Sequence, residues 1–585
     1  MDFDEEFDVV VLGAGAGGMT AALVAAQAGM RTLLVEKTTQ VGGTTARSGG
    51  AAWIPGNHQQ DALERTGDAQ AARQYLDGLV GDRGGRALRD AFIEHAPEML
   101  RFLEERTGVR FAIAPDEPDY RQEVAGASLG GRALRPEEFD GSALCADFER
   151  VAPPLPELMV FGKIMVTRAE VARLIDFGSS TAAFGLAVRL FARYLRDRLH
   201  FSRGTRLVLG NALVARALQS LRAAGVPIWF DARTDHLVLE GGRVTGLVIA
   251  RAGVRRRVRA VRGIVLAGGG FPASAALRRR FLPPPIPVYT AAHEGATGDT
   301  LLLAEEIGAA IVTGRDNAFW FPSSVAERRD GTTAVFPHIV LDRAKPGLIA
   351  VNSAGRRFVD EAASYHEFVR AMYRSNAEIP SIPAMLVCDK RFLWKYGLGL
   401  VHPHTRRLGR FLEHSYLRRA DTLEDLAQRI DVAADGLRET VTRFNAFARS
   451  GIDEDFHKGE NAFDRKHGDA AHVPNPCLGP ILTPPFYAVA VYPTPLATSA
   501  GLRVNPNAQV RDRAGRPIPG LYACGGDMES PMGGEYPGPG AQIGAAMTFG
   551  YLAALHAAGF VPPADKHAAG PLREDVAGSG AGTVT

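Results

Sequence analysis

The stretch Phe7-Asp8-Val9-Val10-Val11-Leu12-Gly13-Ala14-Gly15-Ala16-Gly17-Gly18 decides the fold. Its apolar, β-branched first half reads as a strand buried on both faces. Beyond the glycines, Met19 to Ala26 reads as a helix, and Thr32-Leu33-Leu34-Val35 as a second strand ending on Glu36. Strand, glycine turn, helix, strand and an acid about 20 residues on form the setting in which GxGxxG binds a dinucleotide. Gly13 allows the tight turn, Gly15 lets a pyrophosphate approach the backbone, and Gly18 lets helix and strand pack closely. Gly17 belongs to the same turn. The helix N-terminus offers free N–H groups and partial positive charge to the phosphates. Glu36 is placed to accept hydrogen bonds from a ribose diol. The expected class is α/β, with a Rossmann-like nucleotide-binding domain.

The next stretch, Val41-Gly42-Gly43-Thr44-Thr45-Ala46-Arg47-Ser48-Gly49-Gly50, indicates which dinucleotide binds. A nicotinamide dehydrogenase would normally continue with another helix and strand. A small-residue, glycine-rich loop directly after the acid instead suits a chain passing beside a bulky, planar flavin. Gly43, Thr44, Ser48, Gly49 and Gly50 are therefore expected to line FAD. The loop resembles the FAD-binding stretch of the fumarate reductase and 3-ketosteroid dehydrogenase flavoproteins. Some relatives in that group attach the flavin through a histidine near this loop. Residues 42 to 53 contain no histidine, so the resemblance implies non-covalent FAD.

At 585 residues the chain exceeds one simple core, and two domains are the natural expectation. Apolar content of 46% and charged content of 23% are those of an ordinary globular protein. A net charge of +2 gives no ground for a nucleic-acid partner. The arginines between Arg251 and Arg262 lie among strand-like segments and read as the solvated face of a hairpin. Cys145, Cys388, Cys477 and Cys524 lack CxxC spacing, so neither a disulfide framework nor a metal site is expected. The acidic opening runs straight into the first strand without a secretory pattern, and no apolar run is long enough to span a bilayer. A cytoplasmic protein is expected; peripheral contact with a membrane would leave no trace in such a composition.

Residues 60 to 107 read as helices, and 122 to 165 as surface loop rich in Gly and Pro. Helical periodicity returns over Ala183–Leu199 and Gly210–Leu218. Strands follow at 226–230, 237–240 and 244–249, and Gly263 to Phe271 reads as a buried strand closing on a glycine turn. Ala267 and Gly268 are expected to return to the cofactor there. From about 290 to 485 prolines and aromatics increase. Near 487 the β signal resumes, leading through Gly526 and Asp527 to a helix around Ala545–Ala553. The expected organisation is a discontinuous FAD-binding domain (1–289 and 486–566), an inserted α+β catalytic domain (290–485) and a frayed tail (567–585). Asp299, in Thr297-Gly298-Asp299, marks the crossover near the flavin.

Met532-Gly533-Gly534-Glu535-Tyr536-Pro537-Gly538-Pro539-Gly540-Ala541-Gln542-Ile543-Gly544 fixes a special backbone path. A phenol at Tyr536 and the amide of Gly540 at a helix start would make an oxyanion-hole-type site. Gln542 and Ile543 follow at the cofactor. This stretch resembles the 3-ketosteroid Δ1-dehydrogenases, as do Ser48-Gly49-Gly50 with Trp53-Ile54-Pro55, Gly210-Asn211-Ala212-Leu213-Val214-Ala215 and Ala546-Met547-Thr548-Phe549-Gly550. The resemblance implies that Tyr536 and the Gly540 N–H bind a ketone oxygen. It also implies that Tyr365 takes the proton from the adjacent carbon and that Tyr120 assists. His366 and His338 read as surface or core residues that could also assist.

Removing two hydrogens from adjacent carbons beside a ketone needs a proton acceptor at the α-carbon and a hydride acceptor, FAD N5, at the β-carbon. Tyrosine, with a reference pKa of about 10, needs its phenolate stabilised by hydrogen bonds or nearby positive charge. The expected function is therefore FAD-dependent desaturation beside a cyclic ketone, foremost 3-ketosteroid 1,2-desaturation, with a quinone or similar electron acceptor. Alternatives are a smaller ring ketone, the 4,5 position, a flavin-binding protein without turnover, or a fumarate-like alkene reductase. The last would need cations such as Arg356 and Arg357 to clamp carboxylates.

Overall fold

A computed structural model describes residues 3–560 apart from residues 84, 161, 175–179, 329 and 341. The tail expected at 567–585 lies outside the described residues.

The opening strand, Glu5–Leu12, lies parallel between Thr32–Val35 and Val254–Leu266. Val10 pairs with Leu33 on one side and Ile264 on the other, and all three are fully buried. The run is uniformly apolar because a parallel sheet is covered on both faces. The eight-stranded sheet runs Gln509–Arg511, Pro517–Ala523, Val254–Leu266, Glu5–Leu12, Thr32–Val35, Ile228–Trp229. Ala232–Glu240 and Arg243–Arg251 add to it as antiparallel strands on the first half of Val254–Leu266. The arginine run edges this hairpin, where Arg255 meets Asp235 and Arg256 meets Glu5.

Helix Ala16–Gln27 packs against Ala541–Ala558. Both are longer than the sequence suggested, because each starts directly out of its glycine turn. Small residues bring them together: a Cβ at Gly550 would lie 2.4 Å from the Gly17 carbonyl oxygen. This is the Rossmann-like arrangement expected.

A second, six-stranded antiparallel sheet runs Thr333–Pro337, Ala318–Glu327, Phe486–Thr498, Ala384–Asp389, Leu348–Val351, with Arg418–Ala420 also on Phe486–Thr498. The sequence places the β signal from residue 486 in the returning nucleotide-binding part, and strand Phe486–Thr498 forms from that residue. It is the central strand here, and the chain rejoins the first sheet at Gln509–Arg511. A strand's own residues do not encode which sheet will pair with it. Helix Tyr365–Asn376 packs on Ala318–Glu327.

The segment 122–165 is not a plain surface loop. Ala133–Pro136 pairs with Ala52–Trp53 and Phe111–Ile113 in a three-stranded sheet, and Arg132 and Leu134 are buried. Among the described residues no helix is long and apolar enough to cross a membrane.

Candidate active site

A cleft runs from the first glycine turn to the face of the second sheet. Every site residue derived from the sequence lines it except Asp527. The Asp527 carboxylate lies buried behind the cleft wall, accepting the Gly268 N–H at 2.6 Å and the Gly270 N–H at 2.9 Å. It holds the Gly268–Gly270 turn from behind the lining rather than lining the cleft itself. The sequence could not separate these two roles, because both place the acid next to a glycine turn.

The nucleotide end fits FAD. Gly13 and Gly18 are packed against backbone: their Cβ atoms would lie 2.3 Å from the Ala267 oxygen and 1.9 Å from the Gly13 oxygen. At Gly15 a Cβ would meet only the Thr45 Oγ1, at 3.8 Å, and at Gly43 and Gly49 nothing within 4 Å. Those three positions face open space of the kind a pyrophosphate and a flavin require. Glu36 accepts the Ala14 N–H at 3.0 Å on one oxygen and the Thr38 N–H at 2.9 Å on the other. The Thr38 hydroxyl also donates to that second oxygen at 2.9 Å, so the oxygen that accepts from Ala14 is the one keeping a lone pair for a ribose hydroxyl. The Gln542 side-chain nitrogen lines the cleft buried, with no hydrogen-bond partner among the described residues, a donor suited to a flavin carbonyl. Lys37 ties Asp299 at 2.7 Å and Thr297 at 2.7 Å, which fixes the crossover beside the turn.

At the other end three phenols converge. The Tyr120 and Tyr365 hydroxyls are 2.7 Å apart. The Tyr536 ring lies 5.2 Å from that of Tyr365, edge-on, and 5.5 Å from that of Tyr120. Each is held by a different element. Tyr365 opens helix Tyr365–Asn376, capped by the Ser364 hydroxyl, and stacks on Phe321 at 3.9 Å. Tyr120 donates its N–H to the Pro537 carbonyl at 2.9 Å, and the Tyr75 hydroxyl reaches the same oxygen at 2.7 Å. Beside it the Asp119 carboxylate receives the Trp53 indole N–H at 2.7 Å and Arg132 at 2.6 Å, and Arg132 also holds Asp68. Burial pushes all three phenols well above the ordinary 10, so a phenolate here needs hydrogen bonds or positive charge to stabilise it. Burial likewise lifts Asp119 to about 6, against the pull of Arg132.

Gly540 sits beside Tyr536 at the head of helix Ala541–Ala558 with φ at +91°. A Cβ there would lie 2.3 Å from the Ala51 carbonyl oxygen, so the amide keeps its position only with glycine. Neither histidine reaches the phenols by a hydrogen bond. His366 is buried, accepts the Trp320 N–H at 3.3 Å and is held neutral by burial at about 4. His338 bonds Asp342 and Ser324 outside the cleft lining. Arg357 is locked to Glu361 and Asp453, Arg356 is paired with Glu439, and neither lines the cleft. Sequence reading missed Phe319, Phe321 and Arg168, which do line it. The Phe319-Trp320-Phe321 run was a usable signal; an arginine outside any motif gave none.

The fold and this cleft are those of a flavin-dependent oxidoreductase. The chain matches the family model described as "FAD binding domain" over residues 8–543 and belongs to that family of FAD-dependent oxidoreductases. It is 38% identical over 570 residues to the 3-oxosteroid 1-dehydrogenase of Mycobacterium tuberculosis, covering 95% of this chain and 98% of that one. It is 37% identical to the 4-oxocyclohexanecarboxylate 2-dehydrogenase of Sinomonas cyclohexanicum, covering 94% and 93%. Among solved structures, the 3-ketosteroid Δ1-dehydrogenase from Sterolibacterium denitrificans in complex with 1,4-androstadiene-3,17-dione superposes with a TM-score of 0.89. That protein is 36% identical, with 95% of this chain and 100% of that one covered.

Proposed function

We propose that this chain introduces the 1,2 double bond of a 3-ketosteroid, using non-covalently held FAD. The observation that carries this is the convergence of Tyr120, Tyr365, Tyr536 and Gly540 on one wall of an apolar cleft that continues to the nucleotide turn. The relatives and the steroid-bound neighbour named above support it.

In this reading the Tyr536 hydroxyl and the Gly540 N–H donate to the ketone oxygen and stabilise the enolate as it forms. Tyr365 takes the proton from the carbon beside the ketone, and the Tyr120 hydroxyl donates to the Tyr365 oxygen when it is charged. FAD, when bound, supplies the two-electron oxidant for the neighbouring carbon. Phe319, Phe321, Ile339, Met165 and Val171 line the space for the fused rings and exclude water. The first sheet carries the cofactor and the second carries the substrate side. A quinone-type acceptor regenerates the flavin. The four unpaired cysteines suit a reducing, cytoplasmic setting.

The Sinomonas relative supports a second reading, the same residues acting on a smaller ring ketone. A fumarate-like reduction is disfavoured: the cations lining the cleft, Lys37, Arg47 and Arg168, each already pair with a carboxylate. Anaerobic titration of the purified flavoprotein with androst-4-ene-3,17-dione and with simple cyclohexanones tests these readings. Bleaching of the oxidised flavin band by the steroid is expected. Bleaching only by the small ketones would replace the substrate. Reoxidation of reduced flavin by fumarate-like acids, with no bleaching by either ketone, would overturn the desaturase reading.

A further inference from the structure

Arg168 opens helix Arg168–Leu174 in the segment that covers the apolar end of the cleft. It donates to Glu117 Oε1 at 2.8 Å. Glu117 is buried, stands three residues before Tyr120, and is bonded on its other oxygen by Arg135. Two guanidiniums thus share one carboxylate and leave one positive charge in surplus. Arg168 is the one of the three that lines the cleft with Tyr120 and Tyr365.

Beside Tyr120, Arg132 is shared by Asp119 and Asp68, an acidic surplus that opposes Arg168; the remaining charges around the phenol pair are matched. Arg121 and Glu367 pair with each other at 3.5 Å, and Glu535 is held by Arg370 and Arg83. Burial keeps His366 and His467 neutral. After burial itself, the neighbouring phenol and Glu117 hold Tyr120 up, while its hydrogen bond to Tyr365 and the charge of Arg168 draw it down. For Tyr365, Arg168 again acts downward, as does Tyr536.

We propose that Arg168 is a positioning residue whose surplus charge, held in place by Glu117, stabilises the phenolate shared by Tyr120 and Tyr365. The covering segment would then supply the charge that activates the base. When the substrate proton leaves carbon, it forms an O–H bond with that phenolate, and the C–H electron pair stays in the enolate. This inference rests on the reading of Tyr365 as the base.

The test is the pH profile of kcat/KM for the holoenzyme with androst-4-ene-3,17-dione, in wild type, Arg168→Gln, Arg168→Lys, Glu117→Gln and Tyr365→Phe. Activity requires the phenolate, so it rises with pH through the pair's pKa. Losing the cation moves that limb alkaline by roughly one pH unit in Arg168→Gln, about tenfold in rate at a fixed pH below it. Arg168→Lys keeps the limb near its wild-type position. Glu117→Gln, which enlarges the surplus charge, moves it acid. The proposal is overturned by an Arg168→Gln profile lowered equally at every pH, or by Arg168→Lys shifting as far as Arg168→Gln. If Arg168→Gln does not fold, as judged by flavin content and melting, a Glu117→Gln limb that stays put or moves alkaline overturns it. Wild-type activity in Tyr365→Phe would instead remove the base reading itself.

Discussion

The Tyr120 hydroxyl stands 2.7 Å from the Tyr365 hydroxyl, although 245 residues separate them in the chain. Tyr120 is held there by the Pro537 carbonyl, and its neighbour Asp119 is fixed by Trp53 and Arg132. Tyr365 is held by a helix start on the second sheet. The pair therefore spans two separately built supports, and each half can be tested separately.

Tyr365→Phe removes the proposed proton acceptor and leaves the fold, since its ring still stacks on Phe321. A fall in kcat of roughly 100-fold or more is expected, with flavin content unchanged. Tyr120→Phe, which removes only the supporting hydrogen bond, is expected to cost about tenfold. Pre-steady-state flavin reduction measures both. Equal effects of the two would contradict the division of roles.

Tyr536→Phe removes a donor to the ketone oxygen. The loss should fall on kcat, on the order of 100-fold, because the bond matters most as charge develops. A rise confined to KM would show that Tyr536 only binds the substrate.

Two glycines of one turn should fail in different ways. Gly18→Ala forces a Cβ to 1.9 Å from the Gly13 carbonyl oxygen and is expected to abolish soluble folded protein. Gly15→Ala meets only Thr45 Oγ1 at 3.8 Å, so the protein should fold but lose FAD affinity. Melting curves with and without added FAD separate the cases. Normal flavin content in Gly15→Ala would place the pyrophosphate elsewhere.

The buried cluster at Glu361 predicts acid sensitivity. Burial alone would raise this carboxyl, but Arg357 and Lys458 outweigh it and hold it at about 2, below the ordinary 4.5. A depressed acid stabilises the fold above 4.5, and that contribution, about 3 kcal/mol, is lost as pH falls from 4.5 towards 2. The melting temperature of wild type should therefore exceed that of Glu361→Gln at pH 7, and the gap should narrow between pH 5 and pH 3. A gap constant with pH would mean that packing, and not charge, sets the difference.

The sequence by itself determined the nucleotide end of this protein. Strand, Gly13–Gly18 turn, helix and Glu36 are consecutive, so their geometry is local and the glycines are required by close backbone approach. It also pointed to Tyr536 and Gly540, because a short run of glycines and prolines fixes its own path. Only the tertiary structure decided the rest. Phe486–Thr498 could have joined either sheet, since strand pairing depends on partners far along the chain. Asp527 proved to support a turn from behind, a distinction of a few ångströms that no spacing encodes. Tyr120 and Tyr365 became a pair, and Arg168 their neighbour, only when the covering segment and the second sheet closed on one cleft. Burial then set how tightly those phenols hold their protons.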